Sequence, residues 1–314
     1  MRTLRFEVAD EDAGARLDSV LASRAEIESR TLAERLVLSG AVRVDGVARP
    51  KSHRVRPGAV VEVTLPDAGA DGRPEPPVVP IVYADDALLV VDKPAGLVVH
   101  AGAGGREPTL AEQLASLGAA GGPDPTRAGI VHRLDRGTSG LLVVARSQEA
   151  WAGLVAAMRR RAVERRYLAL VRGRPESRSG RIDAPIGRDR RDPTRRSLDT
   201  DEPRSAVTFF EVVETLPEHA LLDVRLETGR THQVRVHLSA IGLPISGDAT
   251  YGVPGDLGLE RPFLHAHLLR FPHPLTGEEL RFASPLPEDL ERALARARRW
   301  GRSRPPGSSG ERDR

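Results

Sequence analysis

Apolar positions along the chain fall into short runs broken by glycine, proline and turn formers, with only a few stretches at a helical period. Leu17, Val20 and Leu21 recur at helical spacing. Leu32 and Leu36 repeat it after Ser29 or Thr31, with Glu34 three residues past Thr31 as in a capping box and Gly40 to end the helix. Val42 to Val44, the Asp45-Gly46 turn signal and Val47 predict a hairpin, and Val60 to Val63 a further strand. Residues 1–66 therefore read as a small module. Pro66 to Pro80 holds five prolines and two glycines without apolar period, which predicts a semi-stiff linker over 67–80.

A second domain is expected over 81–300. Strands are predicted at Ile81 to Tyr83, Ala87 to Val91, Ile130 to Leu134, Leu141 to Ala145, Tyr167 to Val171 and Leu222 to Leu226. A helix is predicted at Trp151 to Met158, and the polar, arginine-rich Gly180 to Ser205 reads as a loop or hairpin. Val234, Leu238 and Ile241 share a helical face that Thr231 can cap and Gly242 closes, although Val234, Val236 and Leu238 also fit a strand. A hairpin around Thr276-Gly277 and a last helix from Pro287 to Trp300, with Leu290 and Leu294 inward, complete the domain. Residues 301–314 read as a disordered tail.

Composition narrows the chemistry. With 314 residues, 39% of them hydrophobic, the chain can bury a sizeable core. It has no cysteine, which excludes disulfides, thiolate catalysis and cysteine-based zinc sites. No signal core and no membrane-length apolar run is present, so a soluble cytoplasmic protein is expected. A net charge of +3 argues weakly for a nucleic-acid partner, but the cations are clustered. Arg24, Arg30, Arg35, Arg43, Arg49, Lys51, Arg54 and Arg56 crowd the first module, where a small core leaves them on a face suited to phosphates or simply to water. Only Lys51 and Lys93 are lysines, and Lys93 lies in the motif-like DKPAGLVVHAG.

The stretch GIVHRLDRGTSGLLVVAR places Asp135 where one predicted strand ends and a turn begins, between Arg133 and Arg136. A carboxylate kept ionised there and partly withdrawn from water suits a nucleophile or a base. Taken alone, Asp-x-Gly more often marks a plain turn. In LETGRTHQVRVHLSAIGLPISGDATYG, Arg230 stands at a predicted helix entrance, where the helix dipole does not favour its charge; an anionic partner, Asp135 or an RNA phosphate, would compensate.

These stretches, with VERRYLALVRG and FLHAHLLRFPHP, together resemble the RluA/RluD family of RNA pseudouridine synthases over roughly residues 80 to 287, with HRLD, a basic residue and TSG as its signature. RLDSVLA followed by SRTLAERLVLSGAVRVDG resembles the S4-like (alpha-L) RNA-binding domain. The resemblance implies an α+β fold with a mixed, mainly antiparallel sheet, flanking helices and a central cleft, preceded by that small domain. It implies isomerisation of uridine to pseudouridine in RNA without cofactor or metal, on large-subunit ribosomal RNA, with transfer RNA as the alternative. Asp135 matches the catalytic aspartate, Tyr167 the tyrosine that packs on the target base, and Arg230 the basic residue paired with the aspartate. Arg133 matches the arginine that fills the space of the everted nucleotide. His132, Arg136, Thr138 and Lys93 are placed around it, with Arg30, Arg43 and Lys51 as RNA contacts in the first module. A monomer is expected. Gly137 replaces the acidic residue often found in the signature, and PRSAVT at 203–208 lacks the usual Gly-Lys before the alanine. Rival readings are a non-catalytic RNA-binding assembly factor, a metal hydrolase using His232, His237, His265, His267 and His273, and a serine hydrolase using Ser139. The last two lack an HExxH or GxSxG pattern.

Overall fold

The computed structural model describes residues 2–24, 27, 33, 36–38, 40–65, 78–100, 108–192 and 194–300. Contacts divide the chain into two units, Met1–Pro74 and Glu75–Arg314. Arg30, the Ser29 or Thr31 cap with Glu34, most of the expected linker and the tail lie outside the described residues.

In the first unit α1 (Leu17–Ala22) packs on a four-stranded sheet of β1 (Arg2–Glu7), β2 (Val42–Val44), β3 (Val47–Ala48) and β4 (Val60–Leu65), in the order β1-β4-β2-β3. The Asp45-Gly46 turn forms as expected, both residues at positive φ, which matches the twist of a two-residue hairpin. Ala33, Leu36 and Val37 have helical backbone and are buried with Leu17, Val20 and Leu21. The strand β1 was not expected, although Leu4 and Phe6 alternate with Arg5 and Glu7.

The second unit is built on a nine-stranded sheet. Its strands are β5 (Ile81–Ala84), β6 (Leu88–Lys93), β7 (Ser139–Ala145), β8 (Glu164–Arg172) and β9 (Ser179–Asp183), then β12 (Val207–Thr215), β13 (His219–Leu226), β14 (Leu264–Pro272) and β15 (Glu279–Ala283). The order is β5-β6-β7-β14-β8-β13-β12-β9, with β15 beside β14, and only the β7–β14 pair is parallel. Two short strands, β10 (Gly187–Arg188) and β11 (Arg196–Ser197), make a separate hairpin within the arginine-rich insertion. The helices are α2 (Leu110–Ser116), α3 (Gln148–Arg159), α4 (Gln233–Ala240) and α5 (Glu288–Arg299). One face of the sheet buries Val91, Leu142, Tyr167 and Ala169 with Leu238 of α4 and Leu290 of α5, while the other buries Val90 and Val143 against Leu154 of α3. None of the helices among the described residues is long and apolar enough to cross a membrane.

Ile130 to Leu134 is not the strand its apolar pattern predicts. Ile130 makes a single bridge to Val144, and from there the chain runs along β7 without a ladder. The His132 side chain takes the place of a backbone partner, its Nε2 accepting the Val143 N–H at 3.2 Å. The backbone of 131–135 is thereby freed from the sheet, and the carbonyl of Asp135 closes a turn onto the Thr138 N–H at 3.0 Å.

Candidate active site

A cavity of about 440 Å³, a size typical of small-ligand sites, opens beside that turn and the segment leading into it. Asp135 lies in the turn that leads into β7, Tyr167 lies in β8, and β14 runs between these two strands and pairs with both. Both side chains line the cavity, together with Arg133, Arg165, Arg230 and His132. Asp135 is the only carboxylate among the lining residues, facing four guanidinium groups when Arg127 is included.

Asp135 is held from α4. Its Oδ2 lies 3.4 Å from Nη1 of Arg235. Arg235 is itself clamped by Asp248, which accepts from Nε at 2.7 Å and from Nη2 at 2.8 Å. Asp248 is fully buried and also accepts the N–H groups of Thr250 and Tyr251. Burial alone would favour neutral forms of both. The charge-assisted fork outweighs it, holding the Asp248 carboxyl below its ordinary range and Arg235 above its own. The Arg235 guanidinium also lies over the Tyr251 ring, 5.0 Å from its centroid.

The expectation that Arg230 pairs with Asp135 is therefore corrected: the partner is Arg235. Arg230 lines the cavity, but its Nε donates to the Ser205 carbonyl at 3.1 Å and its side chain is exposed. The reason is local. The helix begins at Gln233, with His232 rather than Thr231 at its N-cap in a left-handed conformation, φ 59°. Gln233 accepts the Arg230 N–H and the Thr228 hydroxyl and donates to Val207 and Thr208, fixing the entry loop. That entry turns Arg235, in the first turn of the helix, toward the carboxylate. A cation inside the apolar run QVRVHL was the available signal, because a buried guanidinium calls for an anionic partner.

Tyr167 is almost fully buried, on the same face of β8 as Ala169 and Val171, as the alternation predicts. Burial, with Asp135 adding to it, pushes its hydroxyl above the ordinary tyrosine range. Arg133 sits at the cavity edge, 3.1 Å from Nε2 of His100. Thr138 lines the wall, buried, its hydroxyl without a partner. His132 is buried and neutral: burial first, then the charge of Arg165, lower its pKa to about 3. With Nε2 accepting, its proton resides on Nδ1, which meets no protein acceptor.

Two residues assigned to RNA contact do not reach the cavity. Lys93 is completely buried and donates to the carbonyls of Pro94, Leu97 and Arg136, at 2.9, 2.9 and 3.3 Å. It staples the KPAGL turn to the turn after Asp135 and cannot touch RNA. Arg136 donates to Gly96 and borders a neighbouring groove instead. In the first unit Arg43 is exposed beside its hairpin turn and Lys51 is half-buried. Ser139 is buried against Nδ1 of His265, outside the cavity lining. His237 bonds Thr208 and Ala184, and His273 bonds Asp85, so these histidines belong to separate networks.

Known proteins resemble this chain in sequence and fold. The RNA pseudouridylate synthase family pattern matches residues 87–240, and the S4 domain pattern matches residues 15–61. An uncharacterised RNA pseudouridine synthase of Mycobacterium bovis is 44% identical over 299 residues, covering 91% of this chain and 96% of that protein. The ribosomal large subunit pseudouridine synthase D of Xanthomonas campestris is 41% identical over 311 residues, covering 93% and 91%. Among solved structures, human RNA pseudouridylate synthase domain containing 1 superposes with a TM-score of 0.55 at 30% identity, covering 68% of this chain and 87% of that one. The fold and the S4 domain are thus those of an RNA-modifying isomerase. The chain belongs to the family of RNA pseudouridine synthases.

Proposed function

We propose that this enzyme converts a uridine of large-subunit ribosomal RNA to pseudouridine, with Asp135 as the catalytic carboxylate and the target nucleotide everted into the cavity. The observation that carries the reading is the single carboxylate of the cavity, fixed by the Arg235–Asp248 clamp beside a buried tyrosine. The glycosidic carbon–nitrogen bond is unreachable in a stacked helix, so the base must leave the stack. Arg133, at the cavity edge, is positioned to fill the vacated space. The uracil packs against Tyr167. Asp135 then acts either as nucleophile or as base toward the sugar, and either route uses an ionised carboxylate oriented from one side. The ribosomal substrate rests on the relatives named as large-subunit enzymes and on the S4 domain; transfer RNA is the alternative.

The test is incubation of the protein with unmodified ribosomal RNA and with transfer RNA, pseudouridine being mapped by carbodiimide-dependent reverse-transcriptase stops. New stops on large-subunit RNA with wild type and none with Asp135→Asn are expected, RNA affinity staying within several-fold because phosphate contacts dominate it. Turnover by Asp135→Asn would remove the assignment, and stops on transfer RNA alone would move the substrate.

A further inference from the structure

Arg165 is the unexplained cation of the cavity. It is 7% exposed, lines the cavity, and its Nε has no partner. Among the described residues its side chain makes no hydrogen bond and no ion pair, whereas the Arg235 side chain is fully clamped. A buried guanidinium without a counter-charge is destabilising and is retained where a ligand supplies the anion. The surroundings leave room for one. Gly229 lies so close that a Cβ there would stand 2.7 Å from Nη1 of Arg165, so the glycine admits the guanidinium. His132 cannot add a competing charge, being buried and neutral, and Arg165 itself helps to keep it so.

Position along β8 identifies the anion. Arg165 and Tyr167 are two residues apart on one face of the strand, hence about 6–7 Å apart. A uracil packed on Tyr167 places its own carbonyls over the tyrosine, while the phosphodiester of the same nucleotide falls one such repeat away. We propose that Arg165 binds a phosphodiester flanking the everted uridine, and so anchors the nucleotide in the cavity. This rests on the reading of the cavity as the seat of the target uridine. The phosphate completes the unmatched guanidinium, and the enzyme gains affinity for the flipped nucleotide rather than for the RNA at large.

The experiment uses a short RNA spanning whichever uridine the wild-type enzyme is found to modify, ribosomal or transfer. It is made with a neutral methylphosphonate in place of the linkage on the 5′ side or, in a second arm, on the 3′ side. Binding and single-turnover rates are compared for wild type, Arg165→Gln and Arg165→Lys. One of the two neutral linkages should weaken wild-type binding about tenfold to a hundredfold, the range of a charge-assisted contact. Arg165→Gln should lose as much on the unmodified RNA and lose nothing further from the same neutral linkage. Arg165→Lys should keep the penalty. Arg165→Gln should melt no lower than wild type, since it removes an unpaired buried charge. Losses from Arg165→Gln and from both linkages that multiply independently would overturn the proposal, as would an Arg165→Gln enzyme that binds like wild type. A rate defect indifferent to both linkages would assign Arg165 to the base and likewise overturn it. Failure of the substrate reading shows separately, in which RNA the wild type modifies.

Discussion

Acidification should destabilise the catalytic unit through His132. In the folded protein this imidazole is buried and its Nε2 accepts the Val143 N–H, an arrangement a protonated ring cannot keep. Its pKa is about 3 folded against 6.5 ordinarily. The folded pKa is depressed, so between these values the unfolded chain binds the extra proton and stability falls as pH falls, the loss being complete below about pH 3. From pH 7.5 to 5.0 the shift costs about 2 kcal/mol. Both tryptophans, Trp151 and Trp300, lie in the second unit, so urea unfolding followed by intrinsic fluorescence reports on it. His132→Gln retains an acceptor for Val143 and does not titrate. Wild type should lose about 2 kcal/mol more than His132→Gln over that interval. Because the other buried histidines are common to both proteins, equal losses would refute the reasoning directly.

Arg235→Ala leaves Asp248 buried and unpaired, so it should cost about 3–5 kcal/mol in urea unfolding. Its displaced Asp135 should lower the single-turnover rate about a hundredfold. Arg230→Ala should change stability by no more than about 0.5 kcal/mol; the reverse ranking would restore Arg230 as the partner. Gly140→Ala should cost about 3 kcal/mol or more, because φ is +115° and a Cβ would stand 2.6 Å from the Ala266 nitrogen, prising β7 from β14. Burial lowers the Lys93 pKa to about 7 from 10.5, and Arg261 adds to the effect. Its depressed folded value makes wild type gain about 2 kcal/mol between pH 7 and 9. Lys93→Met should lack this gain; parallel pH curves would mean that the three carbonyls keep the ammonium charged throughout.

Asp135 and Tyr167 were legible because their signals are local: a turn after an apolar run, and a period of two that puts Tyr167 inside. The same alternation puts Arg165 on the inner face of β8, a consequence hidden by the dense cluster of exposed arginines around it. Arg235 was missed because its partner depends on where the first turn of α4 lands over the sheet, which no spacing within the chain encodes. Two elements were readable and overlooked. Thr109 and Glu112 form a full capping box at the start of α2, and the alternation of residues 3–8 is that of β1. The failed strand at Ile130 to Leu134 shows the converse limit: hydrophobicity does not reveal that a histidine ring takes over the bond a ladder would make.

The strand β14 fills the gap between the halves that carry Asp135 and Tyr167, yet it is specified about a hundred residues later. During synthesis the seven strands of the large sheet that precede it can emerge and pair only as separate ribbons, because non-local closure waits on Leu264–Pro272. Catalytic competence thus waits for β14. A nascent chain can engage RNA through its early S4 domain well before it can act on a nucleotide.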